Sequence, residues 1–202
     1  MTRLDRQKWD QRYTEGAYLH RRHPSDWLRR ALEMAGIESG RGRRALDLAC
    51  GRGRNALYLA QLGFEVDAMD ISPVGLAQAA ASGHEQGLKV NWLEADLDLA
   101  FHPPGVYDLI VMIRYVNLPL LQELRAHLRP GGWLVCEEHL QTEEDVRGPQ
   151  SEAFRLVPGA LATACEGLQN HYLEEGIFED PDGERVALAR VLAQRSSSTA
   201  HE

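Results

Sequence analysis

Residues 44–62 read RALDLACGRGRNALYLAQL. The apolar run Arg44-Ala-Leu-Asp-Leu-Ala49 halts at Cys50-Gly51-Arg52-Gly53. Asn55-Ala-Leu-Tyr-Leu-Ala60 then has the spacing of a helix that Gly63 stops. A strand, a glycine turn and a helix in succession are the opening of a βαβ unit. The alternation continues downstream. Residues 64–69 read as a second strand, and Ser72-Pro73 opens a helix with a hydroxyl at the N-cap and proline at the first helical position. The alanine-rich run carries that helix to about Gln86, where Gly87 ends it. Further strands are expected at 90–93 and 107–113, the latter a near-continuous apolar run of the kind buried on both faces of a parallel sheet. A helix over 119–128, closed by Pro130-Gly131-Gly132, leads to a fifth strand at 133–136.

Beyond residue 139 the pattern changes. A polar stretch to Gln150 precedes a helix over 158–166, and two strand-like runs, 169–178 and 185–194, flank Pro181-Asp182-Gly183. That tripeptide is a hairpin turn signal, so an antiparallel pair is expected at the end of an otherwise parallel, doubly wound α/β sheet of seven strands. The expected organisation is a helical lid at 1–43, a main domain at 44–195 and a disordered tail at 196–202.

The chain's 202 residues suit one globular domain. Three cysteines in no zinc or disulfide spacing point to a reducing, cytoplasmic setting with no bound metal. The polar start and the lack of a long apolar run give no sign of a signal peptide or membrane span. The net charge of -8 argues against a general nucleic-acid binder. That charge is divided unevenly: residues 1–44 hold 11 basic against 6 acidic side chains, and the remainder 11 against 24.

The glycine pattern Gly51-x-Gly53-x-x-Ala56 fits a dinucleotide site equally well when taken alone. The acidic residues separate the two readings. Asp47, four positions before Gly51, would repel a pyrophosphate and attract an ammonium. Asp70, at the end of the second strand, is placed to accept hydrogen bonds from both hydroxyls of a ribose. Asp96, after the third, can accept a hydrogen bond from an exocyclic amine such as that of adenine. Three acids at adjacent strand ends suit an amino-acid-bearing nucleoside and suit a polyphosphate badly.

The blocks Asp47-Leu-Ala-Cys-Gly-Arg-Gly53, Asp70-Ile-Ser-Pro73, Glu94-Ala-Asp96, Tyr107-Asp-Leu-Ile110 and Leu128-Arg-Pro-Gly-Gly-Trp-Leu134 occur in this order. Together they resemble the class I S-adenosylmethionine-dependent methyltransferases, a Rossmann-like fold that ends in an antiparallel hairpin strand. The resemblance implies that S-adenosylmethionine is the cofactor and S-adenosylhomocysteine the product. It places Gly51 and Gly53 under the methionine part, Asp70 on the ribose, Ile71 on adenine, Asp96 at its amino group and Ile113 close by. Ala49, Asn55 and Leu97 complete the implied cofactor set. Within the family the chain is similar to small bacterial tellurite-resistance and thiol-type methyltransferases. The shared features are Cys50-Gly51-x-Gly53-Arg54-Asn55, the following Leu57-Tyr58-Leu59, and the closing Asp182-Gly183-x-Arg185. The His-Arg pair of the tellurite enzymes falls on Ile177-Phe178, so a tellurite acceptor is not implied.

Methyl transfer from a sulfonium is an in-line displacement governed by alignment, and it needs a general base only for an acceptor holding a proton of high pKa. No triad is therefore expected. Arg114 and Tyr115 after the fourth strand, Glu138 and His139 after the fifth, and Arg155 are the acceptor-side candidates. In the basic first segment, Trp9 and Tyr13 share one helix face and are interleaved with Arg12, Arg21 and Arg22. They suit a lid that helps hold the cofactor, while Trp27 and Leu28 suit packing. The leading expectation is a small-molecule acceptor. An RNA or protein acceptor docking on the basic segment is the alternative. A nicotinamide-dependent reductase fits less well, because neither Lys8 nor Lys89 sits in a Tyr-x-x-x-Lys pattern.

Overall fold

A computed structural model describes residues 3–99 and 103–197; most of the expected tail, 198–202, lies outside the described residues. Two helices, α1 (Arg3–Thr14) and α2 (Asp26–Met34), precede the first strand, β1 (Arg44–Leu48). Then follow α3 (Arg54–Gln61), β2 (Glu65–Asp70), α4 (Pro73–Glu85), β3 (Asn91–Glu94), β4 (Tyr107–Ile113), α5 (Leu118–His127) and β5 (Leu128–His139). The chain closes with α6 (Ala160–Ala164), β6 (Gln169–Glu179) and β7 (Arg185–Gln194). The sheet order is β3-β2-β1-β4-β5-β7-β6. Strands β1 to β5 pair in parallel, whereas β7 runs antiparallel to both β5 and β6. Strand order reverses between β1 and β4, and in open α/β sheets the crevice beyond the strand ends at such a reversal is where ligands bind.

The caps form as the sequence requires. Ser72 Oγ accepts the Gly75 N–H at 3.1 Å, and Pro73 follows it. Asn117 does the same for Leu120 at the start of α5. Alternate residues of β4 serve opposite cores. Ile110 and Met112 join Leu46, Leu121, Leu134 and Leu161 on one face. Leu109 and Val111 join Trp27, Leu28, Leu59 and Val135 on the other. Trp27 and Leu28 are core residues, and the Trp27 indole N–H donates to the Cys136 carbonyl at 3.0 Å.

Two elements differ from expectation. Strand β5 spans Leu128–His139, where a four-residue strand over 133–136 is expected. Pro130-Gly131-Gly132 does not close the helix but lies within the strand, at a shift of the β4–β5 register. The local geometry explains this. Gly131, at φ +78, donates to the Arg195 carbonyl, and a Cβ on Gly132 would lie 2.9 Å from the Arg129 carbonyl and 3.0 Å from that of Tyr107. Helix α6 is shorter than the expected 158–166, because Gly159 at φ +82 forms its N-cap.

Candidate active site

Beyond the C-terminal ends of β1, β2 and β4 lies a cavity lined by Trp9, Tyr13, Ala49, Asp70, Ile71, Ala95, Leu97, Arg114 and Tyr115. The sharp turn after β1 forms its floor, with Ala49 at φ +52, Gly51 at +56 and Gly53 at +77. Asp70 is the buried acid on its wall. One of its carboxylate oxygens accepts the Gly51 N–H at 2.8 Å and the other the Ser72 N–H at 2.9 Å. Burial raises its pKa while the backbone N–H groups of Ser72, Gly51 and Ile71 oppose the rise. A carboxylate has about four acceptor sites, so acceptor capacity remains for a ligand hydroxyl.

Asp47 is buried beside the glycine turn. The Ala56 N–H donates to its carboxylate, yet its Oδ2 is buried without a hydrogen-bond partner among the described residues. Burial pushes its pKa up to about 7. An unmatched acceptor in this position fits the ammonium of an amino-acid group.

Six of the twelve residues expected to hold the cofactor line the cavity: Trp9, Tyr13, Ala49, Asp70, Ile71 and Leu97. The others surround it. Gly51 and Gly53 shape the turn, and Asp47 lies beside them. Asp96 sits between the lining residues Ala95 and Leu97, half-buried, and accepts the Asp98 N–H. Asn55 accepts the backbone N–H of Ser25 at 2.8 Å, which ties the start of α2 to α3. Ile113 packs in the core face that holds Trp27.

Helix α1 crosses the glycine turn. The Tyr13 ring fills a notch between two glycines: a Cβ on Gly51 would lie 2.7 Å from its hydroxyl, and one on Gly75 would lie 2.9 Å from its Cε2. Tyr13 also stacks on Trp9 with ring centroids 5.7 Å apart. Asp10 accepts from Ser72 Oγ, and Arg6 pairs with Glu94. Gly75 has no unusual backbone angle, so Gly75→Ala tests the notch directly. Alanine favours an isolated helix by about 1 kcal/mol. Overpacking against Tyr13 and the Gly51 carbonyl is expected to outweigh that gain, costing about 1–3 kcal/mol. The expected outcome is faster tryptic cleavage at Arg6, Lys8 and Arg12, with α4 intact by hydrogen exchange.

Arg114 stands at the opposite wall, at φ +62, an uncommon backbone angle for a side chain of its size. Its guanidinium is fixed on three sides. Nε donates to Glu137 at 2.8 Å, one terminal nitrogen donates to Asp180 at 2.8 Å, and the other lies 3.3 Å from His139 Nε2. Glu137 is shared with Arg190 at 2.7 Å, and Asp180 with Arg21 at 3.5 Å. Burial alone would raise the Glu137 pKa, but Arg114 and Arg190 hold it below the usual range. His139 is pushed down to about 3 by burial and by Arg114, Arg155 and Arg21, so it is neutral, and its Nδ1 is buried without a hydrogen-bond partner among the described residues.

The neighbouring Tyr115 hydroxyl donates to Asp98. The Tyr115 N–H donates to the carboxyl of Glu138, a fully buried group whose pKa is driven up by burial. Arg155 is turned away from the cavity: it donates to the carbonyls of Pro149 and Leu140 and so anchors the connection after β5. Glu137, Asp180, Arg190 and Ala95 were not expected at this site. The only sequence signal for Glu137 is a pair of acids, Glu137-Glu138, ending an apolar strand.

Comparison with known proteins agrees with this geometry. The family described as "Methyltransferase domain" matches residues 45–132. The chain is 33% identical over 187 residues to a demethylmenaquinone methyltransferase of Thermus thermophilus, covering 87% of this chain and 83% of that one. It is 29% identical over 170 residues to a ubiquinone biosynthesis O-methyltransferase of Burkholderia ambifaria, covering 73% of each. Among solved structures, TehB from Haemophilus influenzae superposes with a TM-score of 0.71 at 24% identity, covering 83% of this chain and 62% of that one.

Proposed function

The chain belongs to the class I S-adenosylmethionine-dependent methyltransferases, and from that premise we propose that it methylates a small-molecule acceptor bound beside Arg114 and Tyr115. One observation carries the reading: Asp70, pinned by the Gly51 and Ser72 N–H groups, faces the cavity, while Asp47 keeps a buried carboxylate oxygen unmatched beside it. When bound, the cofactor supplies a methyl group on a cationic sulfur, already activated for in-line displacement. Asp47 would hold its ammonium, Asp70 its ribose hydroxyls, Ile71 and Leu97 its adenine faces and Asp96 the adenine amino group. Trp9 and Tyr13 would cover it as part of a lid built on α1. The protein's remaining task is to align the acceptor and exclude water. Arg114 and Tyr115 bound the acceptor end. His139, held neutral behind Arg114 with its pKa pushed down to about 3, is poorly suited to take up a proton, so the reading favours an acceptor that reacts without a general base.

The alternative of an RNA or protein acceptor gains no support from the basic segment, since Arg21 is engaged with Asp180 and Asp182. Among the described residues no helix is long and apolar enough to cross a membrane. The three cysteines are buried free thiols, which suits a reducing cytoplasm. Calorimetric titration with S-adenosylhomocysteine is the direct test, followed by a methyl-transfer screen over small thiols, amines, phenols and carboxylates. Failure of the purified protein to bind S-adenosylhomocysteine would overturn the reading.

The Asp47 assignment also sets a pH dependence. An ammonium ligand needs the ionised carboxylate, and the raised pKa of about 7 means that this form is lost below neutrality. Affinity for S-adenosylhomocysteine is therefore expected to weaken as pH falls through 7, approaching about tenfold per pH unit below it. Stability should move the other way. A carboxyl whose pKa is raised on folding binds more protons in the native state, so its contribution improves as pH falls from 7 towards the unfolded value. Asp47→Asn should flatten the binding profile. An unchanged profile in that variant would remove Asp47 from the site.

A further inference from the structure

We infer that the turn between β6 and β7 is the catch of a lid made by α1 and residues 15–25, with Asp180 and Asp182 as positioning residues that act through Arg21; the inference rests on the methyltransferase reading and concerns access to that same site. The cavity between α1 and the strand ends holds about 60 Å³. Sites for ligands of this kind hold about 300–1,000 Å³. Trp9 and Tyr13 of α1 form one side of the cavity, and Arg114 stands on the opposite wall. A nucleoside carrying an amino-acid tail therefore enters only where α1 or the segment after it gives way.

The contacts of α1 and of the segment after it differ in kind. Helix α1 is tied to β3 and α4: Arg6 pairs with Glu94, Asp10 accepts from Ser72 Oγ, and the Gln78 amide donates to the Tyr13 carbonyl at 3.2 Å. The chain then turns at Gly16, φ +85, and Tyr18, φ +60. The Arg12 guanidinium lies 4.9 Å from the Trp9 ring centroid and 5.6 Å from that of Tyr18, and Arg21 lies 5.7 Å from the Tyr18 centroid. Arg21 then leaves the lid. It donates to Asp182 through Nε at 3.1 Å and a terminal nitrogen at 2.7 Å, and reaches Asp180 at 3.5 Å. His20 Nε2 lies 3.7 Å from Asp182. The other oxygen of Asp180 accepts from Arg114 at 2.8 Å. Contacts thus run unbroken from Trp9 on one wall, through Arg12, Tyr18, Arg21 and Asp180, to Arg114 on the other.

The turn is built to present these two acids. The Gly183 N–H donates to the Asp180 carbonyl at 2.8 Å, the Asp180 N–H donates to the Glu184 carbonyl at 2.8 Å, and Pro181 fixes the backbone between the carboxylates. The two acids differ in burial. Asp180 is buried against Arg114, whereas the Arg21 and Asp182 side chains are 27% and 36% exposed. A partly exposed ion pair is weakened by salt and opens at small cost, as a catch must. The buried pair stays made, so Arg114 keeps its place while the lid opens and Arg21 returns to a fixed anchor when it closes.

The test follows S-adenosylhomocysteine binding to the whole chain by stopped-flow tryptophan fluorescence, which gives the association and dissociation rates. Arg21→Gln and Asp182→Asn should each speed dissociation by about threefold or more. Their double variant should be no faster than the faster single one, because the same catch is lost once. Arg21→Lys should restore most of the wild-type rate. Raising sodium chloride from about 50 mM to about 500 mM should speed dissociation from the wild type and leave Arg21→Gln unchanged. Asp180→Asn should speed dissociation too and in addition lower thermal stability, because it strands the buried Arg114. A smaller rise in either single variant, additive rises in the double variant, or an equal salt response in Arg21→Gln would overturn the inference. Wild-type protein that binds no S-adenosylhomocysteine would overturn the functional reading, and the inference with it.

Discussion

Asp70→Ala is expected to weaken S-adenosylhomocysteine binding by about 100-fold or more, the loss of two hydrogen bonds to a charged acceptor at about 1.5–3 kcal/mol each. The effect has two sources that a second variant separates. Asp70 faces the cavity, so alanine removes the acceptors proposed for the ribose hydroxyls. It also strands the N–H groups of Gly51 and Ser72, which hold the glycine turn against the start of α4. Each unmatched buried donor costs about 1–3 kcal/mol, so thermal stability should fall as well. Asp70→Asn keeps the shape and one carbonyl acceptor. It should retain more of the fold while still losing most of the affinity, because its amide nitrogen cannot accept from either N–H or from a hydroxyl. Calorimetry and thermal unfolding on both variants are the measurements. Binding by Asp70→Ala within threefold of wild type would remove Asp70 from the cofactor site.

The parts legible in the sequence are those written by neighbours in the chain. The strand, turn and helix of residues 44–62, the Ser72-Pro73 cap and the Pro181-Asp182-Gly183 turn each depend on residues within a few positions. Asp47 and Asp70 were legible because each stands at a fixed offset from such a feature. The acceptor end was not, because it is assembled across the chain. Arg21 reaches Asp180 across 159 positions and Arg114 reaches it across 66, and no periodicity records either pairing. Gly75 shows the same limit: inside an alanine-rich helix it looks like a weakness, and only the Tyr13 ring from α1 explains it. Pro130-Gly131-Gly132 misled for a physical reason. Residues that stop a helix are also those that permit a bulge, and the partner strand decides between them.

Glu137 carries the second large effect. It is buried, and its two oxygens accept from Arg114 Nε at 2.8 Å and Arg190 Nε at 2.7 Å. Glu137→Ala leaves two buried guanidinium groups facing each other without the charge between them. Removing one member of a buried pair costs about 3–5 kcal/mol. A large share of the stability of a domain this size would go, and urea unfolding should show it as a lower midpoint. The pH profile adds an independent check. The Glu137 pKa is depressed in the folded protein, so its stabilisation is complete above the ordinary glutamate range and is lost as pH falls through the depressed value. Glu137→Gln, neutral at every pH, should remove that part of the acid-induced loss. Function should suffer beyond stability. Arg114 is held at φ +62 by its backbone N–H to the Glu137 carbonyl, which survives the substitution, but its side chain loses its nearest anchor. A guanidinium displaced by about 1 Å can cost 100-fold in turnover, seen in kcat/KM at temperatures where the variant remains folded. Cofactor affinity should hardly change, since Glu137 is not on the cofactor wall. If the variant loses under 1 kcal/mol and keeps wild-type kcat/KM, Arg114 is not positioned by this pair.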